Sequence, residues 1–277
     1  MKNLRVAFIG GGNMASAMIG ALLRSGVRAE GITVGESDAA QRTRLAAEFG
    51  VTVTDDNAAA VRSAALVVLA VKPQQMEAVL LPLRPALQST KPIVLSIAAG
   101  VRIASLQHWC GAGIAVLRAM PNRPALVGAG ATGVYAGRAI TAAQRELATT
   151  PLKAAGSVIW VESEDLLDAV TALSGSGPAY FFLLAEALTA AGVQLGLTND
   201  AAHQLSIATL NGAGIMALQS DGNLARLRAE VTSKGGTTEA ALAVFESAGL
   251  RDIVSRALKA AALRSDELSR QFGTRLN

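Results

Sequence analysis

RVAFIGGGNMA, residues 5–15, runs an apolar strand pattern straight into three glycines and then into helical spacing. Its centre, Gly10 to Ala15, is G-x-G-x-x-A. The string alone is weak, but here it closes a strand and opens a helix. In that setting Gly10 permits a tight turn and Gly12 lets backbone approach a pyrophosphate. Ala15 allows helix and strand to pack closely, and the helix N-terminus faces the negative charge.

Outward from this stretch, short apolar runs alternate with helical patterns. Residues 32–34, 51–53, 66–71, 93–97 and 114–120 read as strands, and 131–135 and 158–161 extend the sheet. Strand, helix, strand in this rhythm indicates a doubly wound parallel sheet with helices on both faces. Glu36 stands at the end of the second strand, about 20 residues past the glycines, where a dinucleotide fold presents an acid to a ribose. Its carboxylate accepts from a 2′-hydroxyl and repels a 2′-phosphate. Arg42 and Arg44, one or two helical turns on, could still reach a phosphate. NADH is the expected preference, with NADPH open. AVKPQ (residues 70–74) and SIAAG (96–100) end two further strands at the same carboxyl edge, and Lys72 there has a structural reading as good as a catalytic one.

Composition narrows the function classes. Of 277 residues, 51% are hydrophobic and 17% charged, which excludes disorder. A net charge of +4 on scattered basic residues, with 4% aromatics, speaks against nucleic-acid binding. One cysteine, Cys110, and two histidines, His108 and His203, build neither a disulfide nor an obvious zinc site, so no metal is expected. Residues 107–110 read as the end of a surface helix. The apolar run at the N-terminus is too short for a signal peptide, and residues 179–193 carry Glu186, so a buried core helix is expected there instead of a membrane span. A soluble cytoplasmic protein is the expectation.

After Ser163 the strand patterns stop and long Ala- and Leu-rich helical patterns follow, so two domains are expected, 1–163 and an all-helical 164–277. One small bundle could hardly bury so many apolar faces, and a dimer sharing them is the natural solution. Within this half, VTSKGGTTE (residues 231–239) crowds four hydroxyls and two glycines around Lys234 before a helix. A helix cap needs one hydroxyl. A cap and a small-anion site both suit the string.

Taken together, FIGGGNMA, AVKPQ, SIAAG, RAMPN, DLLDAVTALSGSGPAYFF and VTSKGGTTEAAL resemble the pyrroline-5-carboxylate reductase family over essentially the whole chain. The resemblance implies a Rossmann domain followed by an all-α dimerisation domain, in homodimers that often form rings. It implies hydride transfer from NAD(P)H to the C=N carbon of 1-pyrroline-5-carboxylate, a small cyclic imine, giving L-proline. Coenzyme contacts carried over from it are Ile9, Gly10, Gly11, Gly12, Asn13, Met14, Glu36, Ser37, Asn57, Ala70, Val71, Lys72, Pro73, Ala98, Ala99 and Gly100. Substrate contacts carried over are Glu164 and the loop Ser233, Gly235, Gly236, Thr237 and Thr238.

For such a substrate, the N–H groups of Gly235, Gly236 and Thr237 with the Ser233 hydroxyl would hold the carboxylate, and Thr238 would orient the ring nitrogen as the catalytic residue. This chain departs from the family pattern at Lys234, where proline is usual, at Arg123, where a small residue is usual, and at Ala208, where glutamine is usual. Two other readings stand beside this one. A β-hydroxyacid-type dehydrogenase shares the plan but would want a lysine after the GSG turn, where this chain has Glu186. A non-catalytic dinucleotide-binding protein is the other.

Overall fold

The computed structural model describes residues 4–137 and 140–272. Eight strands form one sheet: β1 Val6–Ile9, β2 Ile32–Gly35, β3 Thr52–Thr54, β4 Leu66–Leu69, β5 Ile93–Ser96, β6 Ala115–Met120, β7 Gly130–Ala136 and β8 Gly156–Trp160. Their order is β3-β2-β1-β4-β5-β6-β7-β8. Every neighbouring pair is parallel except β6 and β7. Chain direction was not legible in the apolar runs. It follows from the link, since residues 121–129 are too few for a helical crossover and the chain must turn back.

Burial on both faces explains the continuous apolar strands. In β1, Val6 and Phe8 join one core while Ala7 and Ile9 join the other. Helix α1, Asn13–Arg24, covers the first face through Ala15, Met18, Ile19 and Leu22. Helices α2, Ala39–Phe49, and α3, Asn57–Val61, start at Asp38 and Asp56, whose carboxylates accept from the N–H groups two and three residues on. On the second face lie α4, Met76–Thr90, with Met76, Leu80, Leu83 and Leu87, and α5, Ile103–Cys110, with Leu106 and Trp109. Helix α6, Ala142–Ala155, opens with a capping box of Thr141 and Gln144 and returns the chain to β8 in parallel.

The end of α5 corrects one expectation. Trp109 is 2% exposed and Cys110 is fully buried, so residues 107–110 close a core-facing helix instead of a surface one. Single-residue polarity hid this, because His108 and Gln107 take the outward positions of the turn.

Contacts divide the chain into two compact units, one of residues 1–176 with 261–277 and one of residues 177–260. The first therefore continues past the expected division at 163/164. It keeps α7, Leu166–Val170, and a turn of π-helix at Thr171–Gly175. The second contains α8 Gly177–Gln194, α9 Asn199–Gln219, α10 Leu224–Glu230, α11 Thr237–Ser247 and the start of α12, Leu250–Phe272. From Ala261 onward α12 belongs to the first unit, where Ser265 Oγ donates to Asp168 at 2.6 Å. No strand follows β8 among the described residues. Among them too, no helix is long and apolar enough to cross a membrane.

Candidate dinucleotide and substrate sites

The glycine loop after β1 is shaped residue by residue. Gly10 has φ +93°, and a Cβ there would stand 2.8 Å from the Ala70 carbonyl oxygen, so only glycine fits. Its N–H donates to Gly35 O at 2.8 Å. A Cβ on Gly11 would overlap the Leu45 side chain. Gly12 is different: it is exposed, its φ of −68° suits any residue, and a Cβ would meet nothing within 4 Å. It is the N-cap of α1, with no side-chain cap, so the first N–H groups of that helix stay open. The fold does not require glycine at this position; close approach of a ligand would.

Glu36 sits beside this loop. Its Oε2 accepts from Gly11 N at 2.8 Å and its Oε1 from Asp38 N at 3.0 Å. The two arginines that could have met a phosphate are otherwise engaged. Arg42 donates to the carbonyls of Glu36 and Ser37 at 2.7 and 2.9 Å, and Arg44 bonds Glu48 at 2.5 Å and Ser16 Oγ at 2.9 Å.

A cleft of about 380 Å³ opens at the carboxyl edges of β1, β2 and β4. It brings together nine of the expected residues: Ile9, Gly10, Gly12, Glu36, Ser37, Asn57, Ala70, Val71 and Lys72. Gly11, Asn13, Met14 and Pro73 adjoin these in the chain without lining the cleft. Ala98, Ala99 and Gly100 follow β5, next to β4 in the sheet, and extend the row of strand ends. Four lining residues escaped the sequence reading: Gly35, Gln75, Ala78 and Val79. Gly35 carried a signal, since it directly precedes Glu36, and a Cβ there would overlap Asn57 Oδ1. Ala78 and Val79 carried none, being ordinary residues of α4. Another cleft, of about 400 Å³, lies at the opposite edge around Arg5, Arg28 and Glu30, whereas open α/β sheets bind ligands at the carboxyl edge. A dinucleotide fits the first cleft on this chain's own features: the open approach at Gly12, the uncapped helix start and the Glu36 carboxylate at the end of β2.

Glu164 lies in the first unit and is not left free. One oxygen, Oε1, accepts from Ile103 N and from Arg118 Nη1, both at 2.7 Å. Beside it Arg102 pairs with Asp165 and stands 3.8 Å from Asp266. A hydrogen bond to Asp165 raises the Arg102 pKa, and Arg102 in turn holds the Asp165 carboxyl below its usual range.

In the second unit, α11 starts at Gly236, again with no side-chain cap. Two expected donors are already used. Gly235 N donates to Glu239 Oε2 at 2.6 Å, and Gly236 N to Ser233 O at 3.0 Å. Gly235 has φ +71°, and a Cβ on Gly236 would overlap Ser233 Oγ, so the two glycines shape the turn. The N–H groups of Thr237 and Thr238 and the hydroxyls of Ser233 and Thr238 make no hydrogen bond with the described residues.

A glycine-gated cleft at the carboxyl edge of the sheet, with an acid at the end of β2, marks the chain as a dinucleotide-dependent oxidoreductase. Residues 5–100 match the family model described as NADP oxidoreductase coenzyme F420-dependent, and residues 164–268 match the one described as pyrroline-5-carboxylate reductase dimerisation. The chain is 49% identical to the pyrroline-5-carboxylate reductase of Pseudomonas aeruginosa, over 99% of this chain and 100% of that protein. A solved pyrroline-5-carboxylate reductase from Coxiella burnetii is 43% identical, with TM-score 0.93, covering 96% of this chain and 99% of that one. A Plasmodium falciparum pyrroline carboxylate reductase solved with NADP bound is 27% identical, with TM-score 0.83, covering 97% and 99%. The chain belongs to the pyrroline-5-carboxylate reductase family.

Proposed function

We propose that this chain reduces 1-pyrroline-5-carboxylate to L-proline with NAD(P)H, the final step of proline biosynthesis, a role that goes with a cytoplasmic setting. Family membership supports the reaction. The observation that carries the coenzyme half is the cleft in which Gly12 is open and Glu36 is fixed by two backbone N–H groups.

When bound, the coenzyme supplies the hydride that the C=N carbon accepts. This chain's residues then have two tasks. The uncapped start of α1 and the glycine loop hold the pyrophosphate, Asn57 and Ala70 to Lys72 line the cleft with Pro73 just behind them, and Ala98 to Gly100 carry the nicotinamide end. At α11, the Thr237 and Thr238 N–H groups and the Ser233 hydroxyl would receive the substrate carboxylate at a helix N-terminus. Gly235 and Gly236 contribute the turn in place of donors. The Thr238 hydroxyl would orient the ring nitrogen, which keeps its proton as carbon gains the hydride. A protonated imine already accepts hydride readily, so alignment is the main demand.

The active form would be a homodimer, in keeping with the apolar side chains on α8. Only Gly177 is buried on that helix, while Phe181, Phe182 and Leu183 are 57%, 63% and 67% exposed. Sedimentation at micromolar concentration should find at least a dimer, and a ring of dimers would appear as a larger species. For the reaction, purified protein without added metal should oxidise NADH or NADPH when pyrroline-5-carboxylate is supplied. Silence with both coenzymes across neutral pH would overturn the proposal.

A further inference from the structure

RAMPN, residues 118–122, ends β6, and its first and last residues are both buried polar groups facing the segment that follows β8. Arg118 is 5% exposed, and its Nε has no hydrogen-bond partner among the described residues. Its Nη1 reaches Glu164 Oε1, and the same oxygen holds Ile103 N. Four residues on, Asn122 Nδ2 donates to Ser174 O at 3.0 Å, and its Oδ1 accepts from Ala131 N at 2.8 Å.

Ile103 starts α5 three residues after Gly100. The turn between β5 and α5 starts from the ladder bond of Ile97 N to Leu69 O and packs Ala98 and Val101 into the second core. Gly100 has φ +76°, and a Cβ there would stand 3.3 Å from Ser269 N and from the Phe272 ring. Its far end is anchored by side chains: Glu164 on Ile103 N, and Arg102 on Asp165 and Asp266. Glu164 is part-buried, and its anchoring oxygen is shared with Arg118, so losing that cation leaves a partly desolvated carboxylate against Ile103 N less well matched.

We infer that Arg118 is a positioning residue for coenzyme binding: by neutralising and orienting Glu164 against Ile103 N, it fixes residues 98–103 at the nicotinamide end of the cleft. The inference rests on the proposed assignment of Ala98 to Gly100 to the coenzyme. It gives the arginine of RAMPN a role the reaction chemistry alone does not require.

The test uses full-length Arg118→Met, Glu164→Gln and the double variant, with NADH and NADPH dissociation constants read by fluorescence titration without imine. Melting curves fix a temperature at which each protein is folded. Arg118→Met should weaken coenzyme binding about 10- to 100-fold, the range expected when an aligned group is displaced by an ångström. Glu164→Gln alone should bind coenzyme near the parent level, and the double variant should bind more tightly than Arg118→Met, since glutamine carries no charge to strand and keeps an oxygen for Ile103 N. If Arg118→Met does not fold, Arg118→Gln, which also removes the charge, takes its place in the same cycle. An Arg118 single variant that melts lower yet binds both coenzymes like the parent overturns the inference, and so does a double variant that binds no more tightly than that single variant. Failure of the parent protein to bind either coenzyme would instead overturn the proposed function.

Discussion

Helices α1 and α11 begin alike and are supported very differently. Each follows a glycine N-cap, Gly12 or Gly236, and neither has a side-chain cap. Eight residues of α1 are buried, whereas none of α11 is. The first proposed anion site stands on a core its own unit completes. The second stands on a helix that its own unit leaves exposed. Under the proposed function, rigidity of the first suits a coenzyme common to many reactions, and the second is where substrate recognition would be made.

Four measurements bear on that contrast, beginning with the sealed core of the first unit. Burial pushes the Cys110 thiol from 9.0 up to about 12. At pH 8 the thiolate fraction is then roughly 1,000-fold lower than in the unfolded chain. Thiol reagents should modify Cys110 at least that much more slowly in the native protein, and rapid labelling without unfolding would break the contrast. Because the folded pKa is the raised one, this burial contributes stability that is full below pH 9 and is lost as pH climbs toward 12.

The next effect separates the glycines of one loop. Gly12→Ala should fold and melt normally, because the added methyl meets nothing, yet weaken coenzyme binding roughly 100-fold by blocking the close approach. Gly10→Ala should instead fail to fold well, through its φ of +93° and the 2.8 Å clash. Equal melting losses in the two variants would contradict the reading of Gly12.

For the second site, Thr238→Ala should lower kcat/KM roughly 10- to 100-fold, the loss of about 1.5–3 kcal/mol for a hydrogen bond to a charged group. Melting should barely change, since Thr238 caps nothing, and the coenzyme dissociation constant should hold. A melting loss of about 1 kcal/mol with normal turnover would return the residue to a helix-start role.

The smallest effect concerns coenzyme choice. NADH should be preferred, and Glu36→Ser should move the NADPH to NADH ratio of kcat/KM by about tenfold toward NADPH. The shift is limited because Arg42 and Arg44 are already bonded to other groups. An unchanged ratio would mean that the Glu36 carboxylate stays on Gly11 N when coenzyme binds.

Legibility followed range along the chain. The glycine loop, most of the strands and the place of Glu36 at the end of β2 were readable because their requirements are local: a turn needing positive φ, a short continuous apolar run, an acid at a fixed distance along the chain. The role of the Gly235 and Gly236 N–H groups was misjudged because the competing acceptors, Glu239 and Ser233 O, are settled by the actual turn. The polar residues of RAMPN show no role in the sequence, since Arg118 meets Glu164 46 residues on and Asn122 meets Ser174 52 residues on.

By itself, then, the sequence determined a doubly wound sheet, a helical second half, a dinucleotide loop and membership in a reductase family, because these are encoded in short-range spacing and in whole motifs. Only the tertiary structure decided that Cys110 is sealed, that α12 returns to the first unit and that Glu164 is clamped by Arg118. Each of those depends on which distant backbone and side-chain groups meet, and on their competition for the same donors and acceptors, which no local pattern specifies.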